Sequence, residues 1–168
     1  MLNTIINFFE KSNKVIGEYI SWFIIFMVII QLTIVMARYI FGVGFLKLQE
    51  LLIYLHGLSF TLAAGYTLLN DGHVRVDLIY RASSNNYKSI INILGSLFFL
   101  IPFCLITYST SFPYVKRSWK ILEGSPETSG LNAVFLLKTA LIIFPLLLLI
   151  QAVSIIFRNI KILIETKN

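Results

Sequence analysis

The sequence predicts an all-α membrane protein: four transmembrane helices preceded by a short N-terminal interfacial helix. Three observations carry that reading. Charged residues make up 13% of the 168 positions and hydrophobic residues 57%, where a soluble globular chain is about a quarter charged; the mean hydropathy is +0.82. Four stretches, 19–37, 51–70, 89–115 and 139–157, contain no Asp, Glu, Lys or Arg, and each reaches the 18 or so residues that cross a hydrocarbon core as a helix. Segments such as 24–30 and 144–150 are apolar at every position, which does not match the alternating pattern of membrane strands. With their borders the spans fall at about 15–41, 48–70, 89–115 and 131–157, and residues 1–168 read as a single four-helix domain.

Other classes fall away on composition. Fourteen Phe, eight Tyr and two Trp are too many for a disordered chain. The single cysteine, Cys104, rules out an intramolecular disulfide and a Cys-based zinc site. Net charge is +6, yet the 14 Lys and Arg form no basic block, so nothing points to nucleic acid. They border the apolar runs, where basic residues fix orientation or touch anionic lipid headgroups.

At the N-terminus, Leu2, Ile5, Ile6 and Phe9 share one helical face while Asn3, Asn7, Glu10 and Lys11 fall elsewhere. That amphipathic pattern predicts an interfacial helix over about residues 2–12. The first span is too long for a signal-peptide core, and the residues around Ala37 lack a small-x-small cleavage pattern, so it reads as a retained anchor. Tyr19 and Trp22 mark one border and Tyr39 the other, at the depth amphipathic rings prefer. Arg38 suits the negative end of the helix dipole, and Gln49 with Glu50 opens the second span, where a carboxylate suits the positive end. An Arg38–Glu50 ion pair across the short loop is a further option.

Gly57, Thr61 and Gly65 recur every four residues in the second span, a small-residue stripe for close helix packing within the bundle or against a partner. Past it runs Asp71, Gly72, His73, Val74, Arg75, Val76 and Asp77. Gly72 suits a left-handed helix cap, Asp71 calls for a basic partner, His73 or Arg75, and the segment is either a satisfied cytoplasmic turn or a docking element, a proton relay or a headgroup site. In the third span Tyr108, Tyr114 and Trp119 gather at one border, Pro102 is placed to kink the helix and Pro113 to help stop it. The fourth contains Pro145 and, near its start, Lys138, which is expected to snorkel to the headgroups.

The N-terminus, second loop and C-terminus carry eight Lys and Arg against five on the other side, which predicts cytoplasmic termini. No acidic group lies near the middle of any span, although ion-driven carriers normally have one; the chain is therefore not expected to hold a transport site alone. His56 and His73 are about 25 Å apart along a continuous helix and cannot ligate one haem within a protomer. Nucleotide, dinucleotide and metalloprotease motifs are missing, so neither an enzyme nor a cofactor is expected.

The order Arg38-Tyr39, Gln49-Glu50, residues 63–68 running into Asp71, Gly72, His73, Arg75 and Asp77, then Ser118-Trp119 with Glu123 and Ser125, then Lys138 and Gln151, resembles the small membrane subunit (DctQ-like) of tripartite ATP-independent periplasmic (TRAP) transporters. The resemblance covers nearly the whole chain, and its 71–77 core is fairly specific. One departure is Asn132, where the family often has proline. The resemblance implies a non-catalytic subunit of the bacterial inner membrane. Such a subunit braces a large sodium-coupled elevator subunit that receives organic anions, carboxylates or sialic acid, from a periplasmic binding protein. On that reading Lys47, Lys116, Arg117, Lys120, Glu123 and Glu127 are candidate contacts for the binding protein. Competing classes are a haem-bearing or structural anchor of a redox complex and a self-contained small exporter.

Overall fold

A computed structural model describes residues 2–73, 80 and 83–166. Among the described residues six α-helices are bounded at both ends and run in order: α1 (Leu2–Phe41), α2 (Leu46–Leu62), α3 (Ala64–Leu69), α4 (Asn85–Gly95), α5 (Ile101–Lys120) and α6 (Val134–Glu165), with a π-helical turn at Ser96–Leu100 joining α4 to α5. Merged at their joints, they give four helices long and apolar enough to cross a membrane: Thr4–Phe41, Leu46–Leu69, Asn85–Lys120 and Val134–Glu165.

The separate interfacial helix is not seen. Leu2–Phe41 is one unbroken helix of 40 residues, about 60 Å long. No proline interrupts it, and its first turns have their own place in the core. Ile6, Asn13, Gly17 and Ile20 are buried on one face, so the apolar side that suggested a lipid surface packs against protein instead.

Two joints have local causes. Between α2 and α3 only Ala63 departs from helix, and the hydroxyls of Ser59 and Thr61 donate to the carbonyls of Leu55 and Gly57 one turn back, a habit that bends helices. The π turn lies just before Pro102, whose ring crowds the preceding turn and whose missing N–H breaks the regular ladder. Pro113 does not end its helix; α5 continues to Lys120. At the end of α3 the left-handed residue is Asp71, with φ 55°, rather than Gly72. The Gly72 N–H donates to Thr67 O at 2.8 Å, closing a Schellman turn, and a Cβ on Gly72 would come 2.9 Å from Thr67 Cγ2.

The fourth span is the hub. α6 packs against α1, α2, α3, α4, α5 and the π turn, whereas α1 and the third span share no packed face of their own. Its apolar window is 39% buried, against 6–17% in the other three. The start of α1 and the end of α6 lie at one end of the bundle, the terminal end; the 42–45 and 121–133 connections form the other, the loop end.

Candidate functional site

Of the motif residues, Glu50, Trp119, Glu123, Ser125 and Lys138 come together at the loop end, while Asp71, Gly72 and His73 lie past α3 at the other end. Glu50 lies on the fifth residue of α2, past the first turn, so local hydrogen bonds rather than the helix dipole account for its place. Its Oε1 accepts from Ser125 Oγ at 2.5 Å and its Oε2 from the backbone N–H of Leu131 at 2.5 Å. One carboxylate thus pins both sides of the 121–133 loop. Gly130 lies against this contact, because a Cβ there would run into the Ser125 side chain and the Glu50 carboxylate. The Arg38–Glu50 pair does not form among the described residues; Arg38 lies exposed in the last turn of α1.

Next to it, Lys138 donates to both oxygens of Glu123, at 2.7 and 2.6 Å, and its ammonium lies 4.1 Å from the centre of the Tyr114 ring. This cation–π and ion-pair seat replaces the expected snorkelling to lipid. The Lys138 ammonium holds the Glu123 carboxyl below the usual carboxylate range. Trp119 donates its indole N–H to Thr139 Oγ1 at 2.9 Å and meets Phe135 edge-on at 4.8 Å.

The turn that makes this possible is Leu122, whose φ is 47°. It reverses the chain after α5 so that the Glu123 N–H caps Ser118 O at 3.0 Å, a Schellman stop made with a residue that resists the left-handed region. The expected binding-protein contacts divide here. Lys47, Lys116, Arg117, Lys120 and Glu127 are exposed, while Glu123 is taken up by Lys138.

At the terminal end a second set of polar residues ties α1 to α6. Asn13 donates to Gln151 Oε1 at 3.0 Å and to Leu147 O at 3.3 Å. Ser154 donates to Glu10 at 3.1 Å, and Arg158 lies 3.8 Å from the same carboxylate. Asn92 donates to Tyr80 and to Asn159 of α6. A cavity of about 220 Å³ opens beside this set, with Asp71, Asn92, Ser96 and Arg158 among its walls. Sequence reading passed over Asn13, Asn92, Ser154 and Asn159. The available signal was spacing: Gln151, Ser154 and Arg158 follow at three and four residues on one α6 face, as Glu10 and Asn13 do on α1.

The small-residue stripe turns inward. A Cβ on Gly65 would meet the Asn13 side chain and, at 3.2 Å, Leu147 Cβ, and one on Gly57 would meet Leu137 Cδ1 at 3.2 Å. Thr61 spends its hydroxyl on Gly57 O. His56 is exposed on the side of α2, and His73 is exposed beyond α3 at the opposite end from α2's start. Arg75 and Asp77 lie outside the described residues.

Four apolar helices, tied to one another at both ends of the bundle by a few polar side chains, define a polytopic helical membrane protein. The class becomes specific by comparison: the family model described as tripartite ATP-independent periplasmic transporters, DctQ component, matches residues 27–162. The chain belongs to that family, and is therefore a non-catalytic small membrane subunit of a TRAP transporter. No curated protein and no solved structure matches it.

Proposed function

We propose that this chain serves a sodium-coupled, binding-protein-dependent secondary transporter for organic anions, carboxylates or sialic acid. In that role it braces the static scaffold of the large elevator subunit and helps dock the substrate-binding protein. The observation that supports the reading best is where the charged groups lie. Glu50, Glu123 and Lys138 join helices and loop at one end, Glu10 and Arg158 at the other, and the stretches 19–37, 51–70, 89–115 and 139–157 carry no acidic residue to couple an ion. Coupling then belongs to another chain, and the family supplies two, DctM and DctP components. The excess of Lys and Arg at the terminal end supports cytoplasmic termini in a bacterial inner membrane, which turns the loop end toward the binding protein.

The test is reconstitution. With large subunit, binding protein and a sodium gradient, proteoliposomes take up substrate; this chain alone moves none. Reversing Lys116 and Arg117 together to Glu leaves the membrane complex assembled and lowers uptake most at low binding-protein concentration, because exposed charges steer encounter. Uptake by the chain alone overturns the accessory role, and unchanged uptake by the reversed variant at every binding-protein concentration overturns the docking role.

A further inference from the structure

The second span is at odds with a lipid environment. The most apolar 18-residue window of Leu46–Leu69 has a mean hydropathy of 1.4, the lowest of the four, where the others reach 2.3–2.7, and the helix is for the most part half-buried rather than enclosed. A half-buried span less apolar than its neighbours suits a side that meets further protein better than one clad wholly in lipid. Beside it, a groove of about 360 Å³ runs between α1 and α2, lined by Ile24, Met27, Val28, Gln31, Leu52 and His56.

Two of those six residues carry polar N–H groups, at matching depth. Gln31 lies ten residues before the loop end of α1 and His56 ten residues after the start of α2. Each is about 15 Å from the loop end along its helix, or half of a hydrocarbon core about 30 Å thick. Both are exposed, and neither forms a hydrogen bond among the described residues. The exposed hydroxyls of Thr33, Ser109 and Thr110 satisfy themselves on carbonyls of their own helices. An amide or imidazole reaches no such carbonyl here, and bare in hydrocarbon it is costly.

We propose that this groove seats one transmembrane helix of the large subunit, which meets Gln31 and His56 with a hydrogen-bonding side chain at mid-membrane depth while its apolar residues cover Ile24, Val28 and Leu52. The assignment rests on the accessory-subunit reading above and adds to it the face through which the two subunits meet.

A photo-crosslinking residue placed at Val28 or Leu52, in the complex co-expressed in its native membrane, is expected to trap the large subunit. The same probe at Phe99, exposed on the π turn of the third span, is expected to trap no protein. The double variant Gln31→Leu/His56→Leu is more apolar and still inserts, and it should retain about tenfold less large subunit on purification. Adducts between two copies of this chain from Val28, adducts with the large subunit from Phe99 alone, or full retention by the inserted double variant overturn the proposal. If the unaltered chain captures no large subunit, the accessory reading itself falls; if it does capture one and Val28 and Leu52 stay silent, only this assignment of the face falls.

Discussion

The Glu50 carboxylate of the second span accepts the backbone N–H of Leu131, 81 residues further along the chain, while its other oxygen takes the Ser125 hydroxyl. A loop N–H that would otherwise need water is thereby satisfied by a helix side chain. Glu50→Ala leaves Leu131 and Ser125 without that acceptor. The expected result is a lower Tm in nanodiscs and faster proteolytic cleavage between residues 121 and 133, with Glu127→Ala, on the exposed side of the same loop, unchanged in both.

The neighbouring Glu123 gives the loop end a dependence on acid. Its carboxyl is held below the usual range by hydrogen bonds from Lys138, so the folded state binds its proton more weakly than the unfolded chain. Its contribution is fully present above the ordinary carboxylate value of about 4.3 and is lost as pH falls through the lower, folded value. Thermal scans should show the original chain losing stability below about pH 4 relative to its value at pH 7, and Glu123→Gln losing less over the same interval.

The two glycines of the stripe differ in tolerance. At Gly57 an added methyl meets only the end of the Leu137 side chain, which can swing aside; at Gly65 it meets Asn13 and the Cβ of Leu147, which is fixed to the α6 backbone. Gly57→Ala should be nearly neutral and Gly65→Ala destabilising by about 1–3 kcal/mol. Chemical denaturation in mixed micelles measures both, and equal losses would refute the packing assigned to this face.

Asn13 and Gln151 are both fully enclosed; Gln151 Oε1 takes its hydrogen bond from Asn13, which also donates to Leu147 O. Removing one partner leaves a buried amide unmatched, at about 1–3 kcal/mol, whereas replacing both by apolar residues of similar shape removes the unmatched group. Asn13→Leu and Gln151→Met should each destabilise, and the double variant should lose clearly less than the sum of the two. Simple additivity in this double-mutant cycle would mean that the pair is not coupled.

The four apolar helices were legible because a membrane imposes a length on charge-free sequence that few other constraints imitate. What stayed hidden depends on contacts between distant segments. The amphipathic face at Ile6 looks the same whether lipid or protein covers it, and only its burial and the placement of Asn13 and Glu10 against α6 tell the two apart. Lys138 looked like a snorkelling lysine because its partner Glu123 arrives by way of a left-handed Leu122, and nothing in a leucine announces that conformation. Glu50 and Lys138 were singled out as motif residues with no means of pairing them with Ser125 and Glu123; the pairing needs the fold of the 121–133 loop.

The central position of α6 also sets a problem of timing. A ribosome delivers the hub after the other three spans, so Glu10, Asn13, Asn92 and Glu123 all emerge before any of their partners on the fourth span exist. Until residue 134 and those after it have entered the bilayer, the earlier spans carry uncovered polar side chains.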